Sequence, residues 1–364
     1  MPHTLIVEPN PNGHRFQAVG GVARLAGRDG GVTLMTSAGG GSSAEYGVFL
    51  RDLDLAVVEA FTSDVPPTAE FAARIAEYCR EHDVRRVVVM DGDIALKSWW
   101  RHARRAYASL PRRPRTIFFL TRYPARLEWD DLPHWKVRIA KGVLLALGRL
   151  TRTIDRASGF AGREEKARGW LVKRARDPAI CAAHSRDRAA LRAELGLPDR
   201  PLVGVFGGIN VRKNPQLVFE AVERAGDDVG LVLAGPFAPD VREWLAGLAP
   251  ERRARIVEAD GFLDDLVLDK YLAASDVVAL VMTLEGPSGI QGKALAAGVP
   301  VVSAGSRTRE RELVAAGSGV SVEVGVEPVA AAIRDVLARP PAIADDFELP
   351  TYESFSATIL GVRP

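Results

Sequence analysis

Residues 284–305 read LEGPSGIQGKALAAGVPVVSAG, and their reading decides the fold. Ahead of them VVALVMT, beginning at Val277, is a continuous apolar run of the kind that a strand buried on both faces requires. Ala294, Leu295, Ala296 and Ala297 suit a closely packed helix, Gly298 ends it, and residues 299–303 supply the next strand. Strand, turn, helix, strand is the repeating piece of a parallel α/β sheet. Its turn aims the open amides of a helix N-terminus outward, and the guest such amides suit is an anion.

The same alternation runs through the rest of the second half. PLVGVFGG (201–208) reads as a strand ending in glycines, NPQLVFEAVERA as a helix, VGLVLAGP as a strand, PDVREWLAGL as a helix, ARIVEAD as a strand and LDDLVLDKYLAASD as a helix. After the opening unit come GSGVSVEV and the helix EPVAAAIRDVLAR. In the first half, strand signals at 3–8, 32–35, 55–58, 86–90 and 116–120 are separated by helical patterns at 16–28, 68–82, 95–109 and 133–150. GGGSSAEYGVFL from Gly39 is glycine-rich and reads as a loop followed by a short strand. The expectation is two doubly wound Rossmann-like α/β domains facing a central cleft. The Pro-bounded, polar stretch between Asp177 and Leu202 connects them: residues 1–180, then 181–345, with 346–364 a C-terminal segment returning to the first domain.

The 364 residues, 47% apolar, suffice for two cores. Cys79 and Cys181 alone give neither a disulfide framework nor a metal cluster. The first ten residues lack a basic, signal-length apolar pattern, and no run reaches the roughly 20 apolar residues that span a bilayer. The expected compartment is the cytoplasm. A net charge of +2 conceals +9 over residues 1–180 and −7 over the remainder.

With the elements placed, the motifs resemble those of GT-B-fold glycosyltransferases, most closely the retaining glycosyltransferase family 4. The family's glycine turn with a following Lys is matched by GGINVRKN, which carries Gly207, Gly208, Arg212 and Lys213. Its strand-AGP segment is matched by LVLAGP with Gly235, and its GFxxD…LYxxAD segment by GFLDD…KYLAASD (261–276) with Phe262. Its E-x7-E motif ahead of A…GxPVV is matched by EGPSGIQGK and ALAAGVPVV, with Lys293 in place of the second Glu. The matches stand in order over residues 201–305. Gly208 occupies the place of the family's first basic residue.

The resemblance implies a sugar transferred from a nucleoside-diphosphate donor, a UDP-sugar first and a GDP-sugar next, to a hydroxyl of a small-molecule, glycan or lipid-linked acceptor. It implies retention of configuration, no metal and no further cofactor. The donor would lie on the second domain, with Glu285 toward the sugar; Ser288, Gly289 and Ile290 would form the diphosphate cradle, and Arg212 and Lys213 would stabilise the leaving group. Lys293 cannot accept hydrogen bonds from ribose hydroxyls, as the family's second Glu does, but can pair with phosphate. Gly13 and His14, in the loop after the first strand, would face acceptor and donor phosphate. The family's later His is absent, Thr121 and Arg122 standing there.

Each assignment has a plainer reading. Glu285 is also placed to complement a helix dipole, Ser288 to be a simple N-cap, and Arg212 and Lys213 to be solvated surface. Asp91 and Asp93 form a DxD of the kind that holds a metal in GT-A enzymes, but it is short and stands in the other half from the ordered nucleotide signature, so they read as acceptor-side residues. Residues 97–156 carry 15 basic residues against 4 acids, interleaved with Trp99, Trp100 and Trp135. That pattern suits either peripheral contact with an anionic membrane or helices flanking a sheet with their tryptophans in the core. No nucleic-acid motif accompanies it. The rival functions are an inactive glycosyltransferase-like nucleotide-binding or partner protein, and a GT-B-fold epimerase or phosphorylase. A dehydrogenase is disfavoured, since no G-x-G-x-x-G follows the first strand.

Overall fold

The computed structural model describes residues 3–12, 15–124, 126–127, 129–166, 169–183 and 187–363. The chain divides into two units: residues 1–161, 165–176 and 351–364 form the first, and residues 162–164 and 177–350 the second.

In unit 1 the order is β1 (His3–Val7), α1 (Arg15–Gly27), β2 (Val32–Ser37), α2 (Ala44–Phe49), β3 (Ala56–Phe61), α3 (Thr68–Glu81), β4 (Val84–Val89), α4 (Trp99–Tyr107), β5 (Arg115–Leu120), α5 (Leu132–Leu150), β6 (Arg156–Ala161) and β7 (Lys173–Arg176). Unit 2 runs α6 (Arg188–Leu195), β8 (Leu202–Phe206), α7 (Pro215–Ala225), β9 (Gly230–Gly235), α8 (Pro239–Ala246), α9 (Pro250–Arg253), β10 (Ile256–Asp260), α10 (Asp265–Ala273), β11 (Val277–Val281), α11 (Gly289–Ala297), β12 (Val301–Ala304), α12 (Arg307–Ala316), β13 (Gly319–Val322) and α13 (Val326–Ala338). The last helix, α14 (Tyr352–Leu360), belongs to unit 1. A reciprocal capping box between Thr351 and Ser354 starts it, and Phe355 packs between Phe119 and Phe160.

The seven-stranded sheet of unit 1 has the order β3-β2-β1-β4-β5-β6-β7 and the six-stranded sheet of unit 2 the order β10-β9-β8-β11-β12-β13. Every pairing is parallel. Parallel strands need helical crossovers, so helices cover both faces and each sheet is packed between two apolar cores. The strand order reverses between β1 and β4 in unit 1 and between β8 and β11 in unit 2. Crossovers leave those points in opposite directions and open a crevice at the strands' carboxyl ends, where ligands of such sheets bind.

The structure corrects one element. GGGSSAEYGVFL is not a loop followed by a strand: a 3₁₀ turn at Gly40–Ser42 leads into α2, because the Ser43 hydroxyl caps the Tyr46 amide at 3.1 Å and starts a helix. Trp99 takes its core alternative. It is fully buried and donates its indole N–H to the Thr153 carbonyl at 3.0 Å.

Candidate functional site

The switch point of unit 2 lies between the loops that follow β8 and β11. Gly207 leaves β8 at φ +75, the left-handed region, and its amide donates to the Ala234 carbonyl at 2.9 Å. Gly235, at φ +132, ends β9 so close to this turn that a Cβ there would stand 2.6 Å from the Gly207 carbonyl oxygen. Only glycine permits that approach. Asn214 ties the loop to the neighbouring strand end, its side-chain amide donating to the Val281 carbonyl at 2.9 Å.

The tight turn brings Lys213 back across the end of β8. Its ammonium donates to the Phe206 carbonyl, and a Cβ built on Gly207 would meet Lys213 Nζ at 3.2 Å and Ile290 Cδ1 at 3.9 Å. The two loops therefore converge, with a cation from one beside the first turn of α11 from the other. Burial pushes the Lys213 ammonium down from 10.5 to about 8, and the neighbouring Arg212 charge adds to the displacement. Arg212 itself is exposed.

Ser288 begins α11 as a buried N-cap, its hydroxyl accepting from the Gln291 amide at 3.4 Å. It is thus the plain cap of the sequence reading and also a wall of the crevice. Among the described residues, the Gly289 and Ile290 amides donate to no protein acceptor. Around Gly208, Gly286 and Gly289 no atom lies within 4 Å of where a Cβ would stand, so both loops border open space. Phe262, in the loop after β10, is exposed.

Glu285 is held from one side. Its carboxylate accepts from the Ser306 hydroxyl at 3.0 Å, the Arg307 amide at 2.9 Å and the Thr308 amide at 3.3 Å, which caps α12. Partial burial raises its pKa, but these hydrogen bonds outweigh that and hold the carboxyl below its ordinary value. The Thr308 hydroxyl is a fourth donor, so the roughly four lone-pair positions of the carboxylate are all engaged by the start of α12.

Lys293 faces α10. Its ammonium pairs with Asp269 at 2.8 Å and Asp265 at 3.4 Å, and Asp269 also accepts from the Ala182 amide at 2.5 Å. Burial raises the Asp269 carboxyl, and Lys293 offsets part of the rise. Gly13 and His14 lie outside the described residues.

Sequence reasoning missed the residues that hold this crevice. Fully buried Arg309 donates to the carbonyls of Leu284 (2.7 Å), Met282 and Ala304 (3.1 Å), pinning the loop that carries Glu285. Gln291 donates to Glu312 at 2.9 Å and to the Arg309 carbonyl at 3.1 Å. Arg163, also buried, pairs with Glu312 at 3.0 Å and with Asp177. A Cβ on Gly292 would strike the Arg163 guanidinium at 2.4 Å. The signal was present in RTRERELVAAG, whose arginines and glutamates read as surface until burial shows otherwise.

The switch point of unit 1 is closed on itself. Arg15 pairs with buried Asp91 at 2.7 Å and buried Glu8 at 3.3 Å, and Lys141 pairs with Asp93 at 2.6 Å. Thr121 donates to Asp91 and Asp93, each at 3.3 Å, and the Arg122 amide to Asp93 at 2.8 Å. Burial raises the Glu8 carboxyl to about 8 despite Arg15. Among the described residues no group of three or more His, Cys, Asp or Glu could hold a metal ion.

Residues 200–339 match the family described as Glycosyl transferases group 1. D-inositol 3-phosphate glycosyltransferase of Xylanimonas cellulosilytica is 34% identical over 168 residues, 44% of this chain and 38% of that protein. The matched stretch thus spans well under half of the relative's length. HepE of Anabaena in complex with UDP superposes with a TM-score of 0.65 at 16% identity, covering 99% of this chain and 94% of that one. Sucrose-phosphate synthase from Thermosynechococcus elongatus gives 0.62 at 15% identity, covering 100% and 95%. These likenesses give the chain the GT-B fold.

Proposed function

We propose that the chain is a glycosyltransferase that moves a sugar from a nucleoside-diphosphate sugar to a hydroxyl-bearing acceptor, with retention and without metal. The observation that carries this reading is the convergence at the switch point of unit 2. There a half-buried Lys213 ammonium, the undonated Gly289 and Ile290 amides and three glycines bordering open space suit a diphosphate. The match of residues 200–339 to group 1 glycosyltransferases supports it. A fold alone does not fix an activity, so the site bears the argument.

In this reading Lys213, Arg212 and the α11 amides take up the charge that grows on the diphosphate as the glycosidic bond breaks, which is the work a metal does elsewhere. Glu285, kept ionised by the N-terminus of α12, is the carboxylate assigned to a donor-sugar hydroxyl, which would displace one of the α12 donors. A UDP-sugar is the first expectation, since HepE was captured with UDP, and a GDP-sugar the next. The acceptor belongs to unit 1, where Asp91 and Asp93 end in the β4 loop. Gly13 and His14 keep their proposed roles there.

One observation favours a second reading. Lys293 is committed to Asp269 and Asp265, and Gly208 brings no cation, so the chain could bind nucleotide without turnover. Thermal unfolding in the presence of UDP, GDP, ADP or TDP tests the donor site, since a ligand of the folded state raises its stability. No shift with any of them overturns the first reading. A shift without sugar transfer or donor hydrolysis across an acceptor panel selects the second.

A further inference from the structure

Helix α5 is amphipathic in an unusual sense, because the apolar stripe it carries faces outward. Of its 19 residues only Leu145 and Gly148 are buried. Leu132, Ile139, Val143 and Leu150 are all exposed. At 100° per residue these four fall within roughly 40° of one line along the helix, opposite the two buried positions. The stripe continues beyond the helix: Trp129, 92% exposed, lies with its ring centroid 6.2 Å from that of Trp135, and Trp170 is 91% exposed. Trp170, Trp135, Arg138 and Ile139 line a groove of about 270 Å³. None of the groove's residues belongs to the loops at the switch point of unit 2.

A contiguous exposed apolar surface on a soluble unit marks an interaction face, and its surroundings indicate the partner. Helices α4 and α5, packed side by side, together carry seven Lys and Arg and no Asp or Glu. Arg101, Arg104, Arg105, Lys136 and Arg149 are exposed. A second copy docked by the same face would set this cationic surface against itself, which twofold symmetry makes unavoidable and like-charge repulsion opposes. An anionic bilayer presents the complementary charge, a headgroup region that accepts tryptophan, and acyl chains for the aliphatic stripe. No helix among the described residues is long and apolar enough to cross a membrane, so contact is with one leaflet.

We propose that the outward face of α5, with Trp129 and Trp170 at its margins, is a docking surface for an anionic lipid bilayer. The inference is independent of the nucleotide site, and its test does not read activity. The full chain is sedimented with vesicles of phosphatidylcholine alone and of equimolar phosphatidylcholine and phosphatidylglycerol. The expected result is co-sedimentation with the anionic vesicles, weaker recovery with the neutral ones, and release as salt rises. Replacing both exposed indoles, Trp129→Ala with Trp170→Ala, lowers the partition coefficient by about tenfold or more, and Arg101→Glu with Lys136→Glu abolishes the preference for anionic vesicles. All four side chains are exposed, so the thermal midpoint stays at the parent's value and a loss of binding is not a loss of fold. Two results overturn the proposal: equal recovery of parent and indole variant, or a lipid-free dimer in sedimentation equilibrium that the indole variant dissolves, which would make the face a protein interface.

Discussion

Replacing Lys213 with Met separates stability from binding in a way that few other assignments of this residue allow. Burial lowers the ammonium from 10.5 to about 8, so at neutral pH the folded chain holds a charge its surroundings disfavour. At about 1.4 kcal/mol per tenfold in the proton equilibrium, that displacement corresponds to roughly 3 kcal/mol. The ammonium returns about 1 kcal/mol through its hydrogen bond to the Phe206 carbonyl, so Lys213→Met is expected to raise unfolding free energy by about 2 kcal/mol at pH 7. The sign reverses nothing at higher pH but removes the difference. Between about 8 and 10.5 the unfolded state still binds the proton that the folded state has released, so the parent's stability climbs with pH through that window and the gap to the variant closes. Nucleotide binding moves the opposite way. Loss of one charge-assisted contact to a diphosphate costs about 1.5–3 kcal/mol, or roughly tenfold to a hundredfold in UDP affinity. The parent's affinity falls as pH rises through about 8, whereas the variant's stays flat. Urea titrations and calorimetry with UDP from pH 7 to 10 measure both. A variant that is less stable at pH 7 and binds UDP as well as the parent refutes the placement of Lys213 at the diphosphate.

Glu285→Gln is expected to lower transfer by about a hundredfold or more and unfolding free energy by about 1 kcal/mol, since a neutral cap still begins α12. Because the folded carboxyl lies below its ordinary 4.5, its contribution is present above that value and fades as pH falls through the folded value; acid unfolding curves of parent and variant therefore converge at low pH. Arg163→Met strips a cation from buried Glu312 and should cost about 3–5 kcal/mol in urea unfolding, with Glu312→Gln in the same chain recovering part of it. Lys293→Met leaves Asp269 buried without its ammonium; the expected outcome is a loss of about 2–4 kcal/mol at pH 7 that shrinks toward acid pH as Asp269 protonates, while calorimetry gives UDP affinity within about twofold of the parent. EDTA should leave initial transfer rates unchanged, and a loss restored by a divalent ion would point instead to a metal at Asp91 and Asp93.

The fold was legible because burial on both faces writes itself as uninterrupted apolar strands: VVALV, LVGVF and LVLAG each need no context to be read. The edge strand β7, KRAR, and the small-residue strand β6, RASGFA, lack that signature and owe their place to neighbours already paired. Helix α2 was missed for a related reason, since Gly47 and the glycines ahead of the helix weigh against any element and a single Ser43 cap decides for a helix. At the candidate site, motif spacing singled out Gly207, Lys213, Glu285 and Ser288 but could not give direction. Spacing cannot say that Lys293 turns toward Asp269, or that Glu285 meets the amides of α12, because both depend on a helix whose sequence, RTRERELVAA, reads as solvated charge.

Charge shows the same limit, and shows why the proposed anion site stands where it does. By totals, the first half at +9 should attract a diphosphate and the second at −7 should repel it. Both sheets have a reversal of strand order, so topology offers two equivalent crevices. What differs is local pairing. At the crevice of unit 1 Arg15 is matched by Asp91 and Lys141 by Asp93 at hydrogen-bonding distance, and the field they present outward is largely cancelled. In unit 2 the acids nearest the crevice are matched as well, Glu285 by the N-terminus of α12 and Asp269 by Lys293, but among the described residues Lys213 has only a carbonyl for a partner. Its charge, with the undonated amides of α11, is the part of the local field left to meet a ligand. The surplus cations of the first half lie instead on the outer faces of α4 and α5, where they bear on a surface rather than a crevice. A nucleoside diphosphate and an anionic bilayer thus draw on different cations of one chain, so raising salt should weaken vesicle binding far more steeply than UDP binding at the half-buried Lys213.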